Sequence, residues 1–314
     1  MTVPPPAPDF CTEVGPNCPV EGTILGYYPN LGVNIFFAVF FGVSAIVQLA
    51  LCVKYKTWMY SIAISLGCLC EVMGYIGRLM MNDNPFSEAG FQMQICCLII
   101  APALVSAGIY VTLKHLVLNF DESWSRLRPE MYTYVFIVGD ITSLVLQGAG
   151  GGIAASSDFG TELQDQGTDV MIAGVVFQVF TLAMFGLLLA EYTIRTYRHR
   201  DEISPDARSL LGSKRFRGFI FAILLAFFTI FARCIYRIPE LTGGWRSELM
   251  REEVDFIILE GVMIAMAVAA LTMFHPGYCF PALAKARTED RTTRGKSVYA
   301  ESDVEMMPTR HGEA

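Results

Sequence analysis

Eleven side chains able to carry charge or hydrogen bonds stand in otherwise apolar sequence: Glu71, Tyr75 and Arg78; Asp140 and Gln147; Gln178; Arg233, Tyr236, Arg237 and Glu240; and Glu260. Spacings of three, four or seven put 71, 75 and 78 on one helical face, 140 and 147 on another, and 233 and 237 on a third. Ionisable groups cost a few kcal/mol or more in hydrocarbon, so each must face protein, a partner or water. One chemistry that fits is a polar pocket for the head of an amphiphile. Glu71, Asp140 and Glu260 would attract a cationic amine, and the arginines an anionic group. A second reading fits the same residues, namely interhelical ion pairs that fix the register of a bundle without a ligand.

Other chemistries lack their residues. Seven of the nine cysteines lie in or beside apolar runs, where a thiol packs as a small hydrophobe, and the four histidines are scattered. No spacing resembles a metal site, no glycine-rich phosphate loop is present, and no resident cofactor is expected. An enzyme acting within the membrane needs clustered ligands or an activated nucleophile. His275, before Pro276, reads instead as a helix cap or anchor.

The elements that hold these residues are membrane spans. With 53% hydrophobic and only 17% charged residues, the chain departs from soluble domains of its length. Seven runs reach the roughly 20 residues that a bilayer core of about 30 Å requires: 31–53, 57–80, 91–118, 132–153, 170–194, 218–238 and 255–274. Each is apolar around its whole circumference, unlike a surface helix. The fold class predicted is thus an all-α membrane protein, a bundle of seven transmembrane helices. An N-terminal segment (1–30) precedes the membrane domain (31–277), and a charged, Thr/Ser-rich tail (278–314) that reads as disordered follows it.

Loops one, three and five together with the tail hold 18 of the 23 lysines and arginines. The N-terminal segment, the 80s loop and the 154–169 loop hold none. By the positive-inside rule the N-terminus lies outside and the C-terminus in the cytosol. The first span serves as its own insertion signal, because no basic n-region or cleavage site precedes it. At about 1.5 Å per residue, Glu71 sits roughly 21 Å from the cytosolic start of its span, with Gln147 and Arg233 at similar heights. The charges therefore gather in the outer half, where acids and bases can pair, with Asp140 deeper.

Cys11 and Cys18 fall in the translocated segment, where an oxidising medium makes them candidates for a disulfide. The Gly148, Gly150, Gly151 and Gly152 run permits close helix approach, Pro102 predicts a kink, and Glu191 with Arg195 forms an i, i+4 pair. No nucleic-acid partner follows from a net charge of −7. The expected partners are membrane lipids or amphiphilic small molecules.

The motifs appear in an order that resembles the fungal seven-span lipid-translocating exporter family, of the 7-aminocholesterol-resistance and sphingoid long-chain base resistance type. They run from Tyr28-Pro29 through Glu71-x-x-Gly74-Tyr75-x-x-Arg78, Ala101-Pro102, Ala107 and Tyr110 to Gly139-Asp140-x-x-Ser143-x-x-x-Gln147-Gly148-x-Gly150-Gly151-Gly152. Gly174 and Gln178 follow, then Arg233-x-x-Tyr236-Arg237-x-x-Glu240, Gly244, Glu253 and His275-Pro276-Gly277. Ile257 and Glu260 depart from the tyrosine and aspartate usual in that family. The resemblance implies transport of, and resistance to, lipid-like amphiphiles such as sphingoid bases, sterol amines or porphyrin-like compounds at the plasma membrane. A seven-helix receptor for a lipid-like ligand shares the topology. However, Tyr110-Val111-Thr112 stands where rhodopsin-like receptors carry an acid-Arg-aromatic triplet, and the last span has no lysine for retinal.

Overall fold

The computed structural model describes residues 11–120, 129–157, 161–198, 212–244 and 247–279. They contain seven helices long and apolar enough to cross a membrane: α1 (Leu31–Tyr55), α2 (Trp58–Asp83), α3 (Glu88–Phe120), α4 (Pro129–Ser156), α5 (Glu162–Arg198), α6 (Lys214–Thr242) and α7 (Glu253–Cys279). The chain is an all-α, multi-pass integral membrane protein. The charged tail beyond Cys279 lies outside the described residues, as do Arg126, Arg128, Asp158, Arg200 and Arg208 of the loops.

The helices run past the apolar stretches that announce them. At 26 residues, α2 is about 39 Å long against a hydrocarbon core of about 30 Å. The largest departure is α5. It begins at Glu162 and not near 170, so most of the expected 154–169 loop is helix. Glu162 and Asp165 fall in its first turn, where acidic side chains suit the exposed N–H groups. α1 starts on an Asn30 cap, whose side chain accepts from the Val33 N–H at 3.1 Å, and stops at Lys56, held left-handed at φ 57°.

Neighbours in sequence pack as neighbours in space, and α1 meets α7 to close the ring. α3 also touches α6 and is the most buried span. Phe36, Val39 and Ile46 of α1 and Phe228 of α6 point outward, as lipid-facing side chains must. Inside, the Tyr75 ring stacks on Phe37 and Phe41, and Tyr110 packs on Phe185 with ring centroids 4.6 Å apart. Of the glycine run in α4, Gly150 alone closes on a neighbour. A Cβ there would lie 2.5 Å from the Gly167 carbonyl of α5, whereas Gly148 and Gly152 have nothing within 4 Å. Only one position per helical turn can face α5, so close packing uses one glycine of the four.

Residues 11–30 form a strap over the helix ends where α2 stops and α3 and α7 start. A disulfide joins Cys11 to Cys18 with the Cα atoms 5.7 Å apart. Asn84 Nδ2 donates to the Thr12 carbonyl and Asn82 Nδ2 to that of Pro29, while Arg251 Nη2 donates to the carbonyls of Glu21 and Thr23. Leu25 fills a small apolar cluster with Met81 and Met250.

Candidate functional site

Three groups of polar side chains occupy the bundle interior. The first lies under the strap. Arg78, fully buried, has every arm engaged: Nε donates to Asn34 Oδ1 at 3.0 Å, Nη1 to Gln94 Oε1 at 3.4 Å, and Nη2 to Tyr27 Oη at 3.2 Å and Glu253 Oε1 at 3.4 Å. Its guanidinium also stacks over the Phe256 ring at 3.9 Å. Burial raises the Tyr27 phenol above its ordinary range, and the neighbouring Arg78 only partly offsets that, so Tyr27 serves as a neutral hydroxyl. Across from Arg78, Arg237 Nη1 donates to Glu240 Oε2 at 2.6 Å. Arg78, Gln94, Arg237 and Glu240 line a cavity of about 10 Å³, close to the room one water needs. The interior is therefore closely packed here.

The second group lies deeper. Pro102 has no N–H to give to the carbonyl four residues back, which frees Leu98 O in the middle of α3. Arg233 Nη2 donates to that oxygen at 2.6 Å and also pairs with Glu260 Oε1. Glu260 sits in a π-helical stretch of α7, Ile257–Val262, a wider turn common at functional sites. Glu71 is fully buried, and Arg233 and Glu260 are the charges acting on it, yet neither of its carboxylate oxygens has a hydrogen-bond partner among the described residues. The Tyr75 hydroxyl and Glu260 Oε2 also have no partner among the described residues.

The third group joins α3, α4 and α5. Ser106 Oγ donates to Asp140 Oδ2 at 2.7 Å, while Oδ1 of the same buried carboxylate has no partner. Tyr110, one turn past Ser106, reaches toward Asp140. No cation pairs with Asp140 among the described residues. Seven residues on, Gln147 Nε2 donates to Gln178 Oε1 at 3.1 Å. Cys234 of α6 stands between the groups, within electrostatic reach of Asp140 and of Arg233 and Glu260. Tyr236 stays half-buried, outside these contacts.

Ten of the eleven sequence candidates thus fall into these interior groups. The sequence reading did not place Tyr27, Asn34, Gln94 and Ser106 in the site, and it carried Glu253 only through the resemblance. The one local signal available was the i, i+4, i+8 series Pro102, Ser106, Tyr110, which marks the inner stripe of α3. At the opposite end of the bundle, His275 Nδ1 accepts from the Gly277 N–H at 3.1 Å, so the neutral ring carries its proton on Nε2. Nε2 then donates toward Ser61 Oγ at 3.1 Å and Thr57 Oγ1 at 3.3 Å. A ring wired in this way cannot accept the Ser61 proton; it ties the end of α7 to the start of α2.

The model of the family described as RTA1 like protein matches residues 64–283. The chain is similar to the sphingoid long-chain base transporter RSB1 of Saccharomyces cerevisiae, 33% identical over 283 residues that cover 81% of this chain and 74% of the relative. It is also similar to protoporphyrin uptake protein 1 of that yeast, 28% identical with 66% and 65% covered, and to its protein RTM1, 27% identical with 68% and 66% covered. No solved structure matches.

Proposed function

The chain belongs to the RTA1-like protein family, and from that premise we propose that it translocates amphiphiles whose head group carries a positively charged amine, with Asp140 as the counter-charge. A lipid-like transport or resistance role is the broad assignment that the named relatives support. The finer reading rests on one observation: Asp140 is a buried carboxylate whose Oδ2 accepts from Ser106, whose Oδ1 has no partner, and which no cation pairs among the described residues. An amine entering beside Ser106 gains a charge-assisted bond to an oxygen that lacks one, worth about 1.5–3 kcal/mol. The Gln147–Gln178 pair offers neutral hydrogen bonds for the hydroxyl groups of such a head. Sphingoid bases and sterol amines fit this chemistry; the strap outside fits the distribution of basic residues, and the membrane proposed is the plasma membrane.

Cells with and without the protein, loaded with labelled sphingosine or with its N-acetylated, uncharged analogue, test the reading. The protein should accelerate release of sphingosine and leave the acetylated analogue unchanged. Equal acceleration of both would overturn the role of the amine, and acceleration of neither would overturn transport.

A further inference from the structure

We propose that Glu71 is a proton-binding site in the middle of the membrane domain, and that protons exchange there against the cationic amphiphile. What the proton drives rests on the transport reading above; the site itself does not.

The geometry carries the argument. Glu71 is fully buried on α2, with both carboxylate oxygens lacking a donor. The groups that face it are Arg233 from α6, Glu260 from α7, Cys97 from α3, and Cys68, Cys70 and Tyr75 from its own helix. From α1 the Phe37 and Phe41 rings stack on Tyr75. Two carboxylates therefore share one guanidinium. Arg233 Nη2 is committed to Glu260 and to the Leu98 carbonyl that Pro102 frees, while its Nε has no partner among the described residues and makes no bond to Glu71. The remaining interior arginines are committed too, Arg78 to Glu253 and Arg237 to Glu240. An ionised Glu71 would add a second unbalanced negative charge to that of Asp140 deep in the bundle, a state that costs several kcal/mol. A proton removes it with no other change, and buried carboxyl groups in membrane helices mark proton relays for this reason.

The same surplus charge attracts an organic cation. When an amine head binds beside Asp140, the interior gains one positive charge, an ionised Glu71 no longer adds to an unbalanced negative charge there, and the proton leaves Glu71 as H⁺. One monovalent cation replaces another, so the exchange is electroneutral and no covalent step is needed. Loading by proton and by cation is then mutually exclusive.

Two measurements on the purified full-length protein test this. N,N,N-trimethylsphingosine, whose fixed charge cannot titrate, is added in weak buffer with a pH indicator. The wild type should release about one proton per chain on binding, Glu71→Gln should release none, and Glu71→Asp should restore release. Undiminished release from Glu71→Gln, or binding by the wild type without release, would overturn the proposal. If the probe does not bind, infrared spectra still decide. A protonated-carboxyl band in the wild type that Glu71→Gln removes would support the proton site while its exchange against a fixed cation fell; its absence from the wild type would end the proposal.

Discussion

The two sides of the bundle treat buried charge differently. Where α2, α6 and α7 meet, each interior arginine has a carboxylate: Arg78 with Glu253, Arg237 with Glu240, Arg233 with Glu260. Where α3 meets α4, Asp140 has a serine hydroxyl and no cation among the described residues, and on the paired side Glu71 alone shares this state, with no donor to either oxygen. Pairing makes a buried charge part of the architecture, because its field is spent on a neighbour. A charge left without a counter-ion keeps its field for something that arrives, whether a proton or a cationic head. Arg78, a pocket candidate in the sequence, is one of the paired charges. Its five contacts tie α1, α2, α3, α7 and the strap together.

The largest effect expected is on the paired side. Glu260→Gln removes the carboxylate bonded to Arg233, a contact that Glu71 does not make, and should cost about 3–5 kcal/mol, removing most of the protein from the membrane as read by surface abundance. Replacing Arg233 with Met in the same chain should recover much of that abundance. If the single variant keeps normal abundance, the pair is not architectural and the contrast fails.

Next comes packing within α4. Gly150→Ala places a Cβ 2.5 Å from a backbone oxygen of α5, and the strain should cost about 1–3 kcal/mol. Gly148→Ala, in open space, should stay within about 0.5 kcal/mol. Melting temperatures in detergent separate the two. Equal losses would mean that both glycines face neighbours.

A smaller change is expected at the strap. Tyr27→Phe deletes one neutral acceptor from Arg78, for about 0.5–1.5 kcal/mol. Amide exchange across residues 20–30 should quicken while the helix interiors keep their protection. Exchange that quickens throughout α2 would show that Arg78 depends on the strap more than its other partners allow.

The seven spans were legible because apolar length is a one-dimensional property that the lipid reads directly. The start of α5 was not. Glu162 to Asp169 is too polar to count as span, yet nothing in it stops a helix, so the chain continues one above the apolar core. The acids and arginines stood out against their apolar surroundings, whereas their partners did not. Asn34, Gln94 and Tyr27 reach Arg78 from three different segments, and only the fold decides that they converge. Pro102 marks a free carbonyl at Leu98 from sequence alone, but the residue that takes it is 135 positions away. The π-helical turn at Glu260 has no sequence signature and sets which way that carboxylate faces.

The most direct test of the contrast between paired and unpaired acids is labelled sphingosine release per molecule of surface protein, measured for Asp140→Asn. The amide keeps the size of the side chain and its bond from Ser106 while removing the charge. The variant should reach the membrane at near-normal abundance, and its apparent affinity for the amine should fall about ten- to a hundredfold, the loss of a bond of about 1.5–3 kcal/mol. Release at the wild-type rate from Asp140→Asn, or its disappearance from the membrane, would contradict the claim: the first would put the amine elsewhere, and the second would make Asp140 architecture as well.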